Sequence, residues 1–160
     1  MSKIQIRKGL FETNSSSTHC IVIADDDSYK VNYTDTLEFT LGQFGWEHRI
    51  YNDTFTKAQY LYTAIKYLED EESLKTLKKR LDFFHIPYSF EDVESNACFY
   101  IDHCDNLKYW VPMVCDDCSF LLSYLFDENS FIETGNDGMD DDDFTKTRPE
   151  KVYLEFWKGN

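Results

Sequence analysis

Thr13-Asn14-Ser15-Ser16-Ser17-Thr18-His19 puts six short polar side chains and a histidine into seven consecutive positions. Backbone N–H groups and hydroxyls at that density can wrap a phosphate or carboxylate, as backbone nests do. The same hydroxyls can instead bond their own backbone in a Ser/Thr-rich turn, and that competing use stays open. No G-x-S-x-G elbow accompanies the serines, so a serine-hydrolase triad is not assigned. Asp102-His103 sets an acid beside a histidine. On a strand their side chains face opposite ways, so each needs a partner elsewhere, such as His19. A third polar segment, Thr134-Gly135-Asn136-Asp137, follows an apolar run. These residues define one phosphate-site reading. Asn14, Ser15, Ser16, Ser17, Thr18, Asn136 and Asp137 hold the ligand. His19 and His103 serve as acid and base, which a near-neutral pKa suits, and Asp102 orients them. That reading requires the 13–19 loop, the 102–103 strand end and the 134–137 turn to meet in one pocket.

Cys115-Asp116-Asp117-Cys118 has redox or zinc spacing, with Cys98, His103 and Cys104 nearby in sequence. Zinc usually takes two closely spaced ligand pairs, and the second pair here is irregular. Two aspartates between the thiols oppose the low thiolate pKa that redox chemistry needs. Structural thiols are the reading, with no metal, no disulfide and no cofactor expected. Five cysteines is an odd count, and residues 1–17 carry no apolar signal segment, so reduced thiols in a cytoplasm are expected. The acidic run Asp140 to Asp143 does not place its glycines as an EF-hand does, and reads as a solvated loop or an interaction surface.

The elements that must position these groups follow from hydrophobic period. Leu61, Ala64, Ile65 and Leu68, then Leu74, Leu77, Leu81 and Phe84, form two stripes at helical spacing over about 56–85. A short helix is predicted over about 116–126. Strands are predicted at 3–6, 19–24, 29–33, 37–41, 97–102, within 108–114, at 130–134 and at 152–157. Pro112 marks the 108–114 strand as an edge or an end. Strands around a helical middle, without regular βαβ alternation, give an α+β fold with a mixed or antiparallel sheet. At 160 residues, 42% hydrophobic and 17% aromatic, the chain 1–160 reads as a single domain with a sizeable core.

Charge narrows the partners. Sixteen basic against 30 acidic residues leaves −14, so direct nucleic-acid binding is not expected. No run approaches the ~18 apolar residues of a membrane span. A basic protein or a nucleic-acid-handling complex with a positive groove is the partner such a surface attracts. The oligomeric state is left open.

The chain also resembles a family of small, uncharacterised proteins of phages and Gram-positive bacteria. The likeness rests on Gly9 and Phe11 through His19, on Lys57-Ala58-Gln59-Tyr60-Leu61-Tyr62-Thr63, on Tyr100 through His103 and on Ser130 through Asp137. It implies a phage or mobile-element context. In that context two readings stand. In the first the protein is not an enzyme. It is an acidic counter-defence inhibitor, anti-CRISPR-like, that occupies a basic nucleic-acid-binding surface of a host effector in the host cytosol. Asp140, Asp141, Asp142 and Asp143 would steer it, with Trp46 and Trp110 as anchors. The second is the phosphate site, which binds or hydrolyses a nucleotide or another phosphate compound.

Overall fold

The computed structural model describes residues 5–6, 17–25, 29–45, 48–94, 97–102, 106–136 and 152–158. Among them the strands are Gln5–Ile6 (β1), Ser17–Ala24 (β2), Leu37–Phe39 (β3), Gln43–Phe44 (β4), Arg49–Tyr51 (β5), Tyr88–Phe90 (β6), Tyr100–Ile101 (β7), Phe131–Asn136 (β8) and Val152–Lys158 (β9). The helices are Thr54–Tyr67 (α1), Glu71–Phe83 (α2), Leu107–Asp116 (α3) and Cys118–Phe126 (α4). The fold is α+β.

The paired leucine stripes become α1 and α2. Each starts on an aspartate whose carboxylate accepts an orphan N–H of the first turn: Asp53 from Thr56 at 2.8 Å, Asp70 from Ser73 at 3.0 Å. Each is followed by a left-handed residue, Glu69 (φ +55°) and His85 (φ +54°), where the chain turns out of the helix. Helix α2 buries one stripe, Leu74, Leu77 and Leu81. Helix α1 is buried on nearly every side, because α2, α3, α4, β3 and β7 all pack against it.

The 108–114 segment, expected to be a strand, is helical. Leu107, Trp110, Val111, Val114 and Cys115 are buried at i, i+3, i+4, i+7 and i+8, one continuous helical stripe. Pro112 sits inside this helix. It removes one backbone donor, at a cost that five buried apolar side chains offset. Helix α4 begins two residues later, with Asp117 Oδ1 accepting the Phe120 N–H at 3.0 Å.

The main sheet is mixed, in the order β1-β9-β2-β8-β5. Strand β2 is central, antiparallel to both β8 and β9, while β1 runs parallel to β9. Ile21, Ile23 and Ile132 belong to the helix-side core, so that face of the sheet carries the helices. Strand alternation then sends Cys20, Val22 and Phe131 to the other face. Two parallel two-stranded pairs, β3 with β6 and β4 with β7, flank α1. The expected strand at 29–33 does not form, and those at 37–41 and 97–102 shorten to β3 and β7. Where β2 leaves its ladder, side chains take over the backbone groups of Ala24. Ser130 Oγ accepts its N–H at 2.9 Å and Ser123 Oγ donates to its carbonyl at 2.6 Å. No helix among the described residues is long and apolar enough to cross a membrane.

Candidate functional site

His19 is the third residue of β2, 2% exposed, and not the end of a loop. Ser17 and Thr18 also belong to this strand, in register with Asn136 and Gly135 of β8. Their backbone is committed to the ladder, so a nest of consecutive free N–H groups does not extend over 17–19. Asn14, Ser15 and Ser16 lie outside the described residues, as do His103, Asp137, Trp46 and Asp140 to Asp143.

The antiparallel register nevertheless joins two of the three polar segments. His19 pairs with Thr134, and Ser17 with Asn136. Thr134 is in turn opposite Arg49 on β5, and His19 is opposite Lys158 on β9. One row therefore crosses four strands as Arg49, Thr134, His19, Lys158. Since Ile21 and Ile132 of this register face the helices, His19 and Thr134, two residues along, share their face. Both are buried polar residues, whereas Arg49 is exposed. The acidic net charge makes two basic positions in a single row an unusual local concentration.

Tyr60 of α1 closes this row from the helix side. Its hydroxyl lies 3.1 Å from His19 Nδ1, and both side chains are buried. Phe44 and Trp110 hold the Tyr60 ring edge-on, with centroids at 4.9 and 5.8 Å. Asp102 joins the assembly through the same ring system. It follows β7, its N–H donates to the Phe44 carbonyl at 2.8 Å, and Phe44 packs on Tyr60. Gly45 makes room for it: its φ is +143°, and a Cβ there would stand 2.5 Å from Asp102 Cβ. Gly45→Ala is therefore expected to lower stability by about 1–3 kcal/mol, read from urea unfolding. A change within ~0.5 kcal/mol would show that Asp102 is not held against this backbone.

On the opposite face Glu133, in register with Cys20 and Ile50, has its Oε1 hydrogen-bonded with His48 Nε2 at 2.9 Å. No group of three or more His, Cys, Asp or Glu among the described residues is placed to hold a metal ion. Cys115, the penultimate residue of α3, is buried in the core. Burial, then the charges of Asp70 and Asp116, push its thiol up to about 12, so it is not a thiolate nucleophile at neutral pH.

Trp110, expected as a surface anchor, is fully buried between Tyr60 and Tyr124. It faces no partner, because it is one of the five residues of the buried α3 stripe. Arg49 and Lys158 escaped sequence reasoning, since nothing local marks them: they join the site only through cross-strand register. Tyr60 lay inside a recognised motif without a role. Comparison of the chain with protein-family models, curated proteins and solved structures finds no match.

Proposed function

We propose that this α+β protein binds a small phosphate-bearing ligand, of the nucleotide class, at the end of the main sheet. The observation that carries the reading is the cross-strand row Arg49, Thr134, His19, Lys158, with the pair Ser17 and Asn136 beside it. Arginine supplies a planar fork suited to phosphate oxygens. Thr134 and His19, both buried, stand between the two basic positions of that row. Arg49, the exposed member, marks the side of entry. In a phage-type protein, such a site would sequester a signalling nucleotide.

The inhibitor reading draws on the net charge of −14 and on Asp140 to Asp143, and loses Trp110 as an anchor. Calorimetric titration with inorganic phosphate and with a nucleoside monophosphate separates the two. The phosphate reading expects saturable binding that falls at least tenfold in Arg49→Gln and stays unchanged when Asp140 to Asp143 become Asn and Ser. No binding of either compound at millimolar concentration, by a protein that melts cooperatively, would overturn it.

A further inference from the structure

Beside the first turn of α1 the molecule has a half-open cavity of about 280 Å³. We propose that this cavity, where Lys30, Asp35 and Glu38 surround Leu37, Phe55 and Phe126, binds a free α-amino acid with a large apolar side chain. The proposal is independent of the phosphate-site reading and concerns a different end of the sheet. Phe126 lies one turn after Ser123, whose hydroxyl holds the carbonyl of Ala24, the last residue of β2. His19 is near the first.

The walls are fixed before any ligand arrives. Leu37 opens β3, and its N–H donates to the Pro87 carbonyl at 2.8 Å. Phe55 is the second residue of α1 and Phe126 the last of α4. Those two helices are tied together, because Lys57 Nζ donates to the Asp127 carbonyl at 2.6 Å and the Tyr124 hydroxyl to the Lys57 carbonyl at 2.8 Å. On the other side Asn32 shapes the turn: its Oδ1 accepts the N–H groups of Thr34 and Asp35 at 2.9 and 3.2 Å. Its Nδ2 donates to Asp35 Oδ2 at 2.8 Å and so sets the direction of that carboxylate. Walls held in this way leave little ordering to be done on binding.

Size and charge choose the ligand. A volume of about nine water molecules lies at the lower limit of small-molecule sites, and suits an amino acid better than a nucleotide. Lys30, Asp35 and Glu38 are exposed and put both signs of charge round one cavity. Among the described residues no ion pair includes any of the three. Opposite charges that line one cavity without meeting each other complement a ligand that carries both. Lys30 takes the carboxylate, and Asp35 and Glu38 take the ammonium. Phe55, whose ring is half exposed, gains cover from an apolar side chain laid between it and Phe126. A simple amine would meet Lys30 as a like charge, and a simple carboxylate would meet two.

Calorimetry and amide shift mapping of the full chain test this with L-phenylalanine and its two halves, phenethylamine and phenylpropionate. L-Phenylalanine is expected to bind saturably at about 1 mM or below, at least about fivefold tighter than either half. Its shifts are expected at 30–38, at 54–55 and at Phe126. Lys30→Gln should bring L-phenylalanine down to the affinity of phenethylamine and leave phenethylamine no weaker. Asp35→Asn with Glu38→Gln should bring it down to that of phenylpropionate. All three substitutions are at exposed positions, and cooperative melting confirms the fold of each variant. Either half binding as tightly as L-phenylalanine overturns the proposal. So do shifts that avoid 30–38, and so does the absence of heat and shifts at ~10 mM L-phenylalanine. None of these outcomes bears on the phosphate-site reading, which Arg49→Gln tests separately.

Discussion

Lys57→Ala is expected to lower stability by about 3–5 kcal/mol, because it strips the donor from a buried polar cluster. Lys57 is a fully buried residue of α1. Its Nζ donates to the carbonyl oxygens of Asp127 at 2.6 Å and Ser130 at 3.0 Å, which tie the α4–β8 turn to the central helix. Alanine would leave two buried carbonyls without that donor, the nearby buried carboxylate of Asp127 without its cation, and a cavity. Lys57→Met restores most of the volume and should cost less. Urea unfolding of both variants checks the order, and a loss below ~1 kcal/mol for alanine would show that the turn relaxes around the gap.

The same residue should leave a mark on the pH dependence. Burial lowers the Lys57 pKa from 10.5 to about 8, against the opposing pull of Asp127, Asp53 and Glu128. Below pH 8 the lysine is charged in both states and the fold bears the whole desolvation cost. Between 8 and 10.5 the unfolded chain holds the proton more tightly, so stability rises with pH in that window. Cys115 works the other way. Its thiol goes from 9.0 to about 12 on folding, so above pH 9 the unfolded chain loses a proton that the fold keeps, and stability falls. Tyr124, raised well above 10.0 by burial, adds to the fall. Maximum stability is expected near pH 9. The stability difference between the parent and Lys57→Met should shift by about 1 kcal/mol in the parent's favour from pH 7 to 9. A difference that stays flat over that range would place the lysine in contact with water.

Trp110→Ala is expected to cost about 3–5 kcal/mol. The indole is fully buried, and Tyr60 and Tyr124 meet it edge-on with centroids at 5.8 and 5.2 Å. Its Nε1 is buried with no hydrogen-bond partner, a penalty that the native fold already carries. Trp110→Phe removes that orphan donor along with part of the ring volume. The two effects oppose, so phenylalanine should cost under about 2 kcal/mol. Thermal and urea unfolding decide the matter. A phenylalanine variant as unstable as the alanine one would mean that the N–H contributes to the fold.

Local chemistry alone carried much of the helical part. Leucines at helical spacing place α1 and α2, and Asp70, followed by Glu71 and Glu72, marks the start of α2. An apolar run with three β-branched residues places most of β2, alternation places β9, and most of β8 is also read as a strand. The α+β class follows from the order of these elements. At α3 the linear reading was a strand within 108–114 with Pro112 at its edge or end, although Leu107, Trp110, Val111 and Val114 also stand at helical spacing. Burial against α2 and α4 settled that contest, and burial is a property of the packed chain, not of the segment. Lys57 shows the same limit, since a lysine in a helix ordinarily lies in water and only the meeting of α1 with the α4–β8 turn gives it buried acceptors. The site itself depends most on tertiary structure. The types of Ser17, His19 and Asn136 were visible as candidate ligand groups in a linear reading. Their juxtaposition, and the entry of Arg49, Thr134, Lys158 and Tyr60, rest on strand register and on one helix crossing the sheet. A slip of one residue by β2 against the sheet would send His19 to the other face, and a slip of β5 or β9 would take Arg49 or Lys158 out of its row.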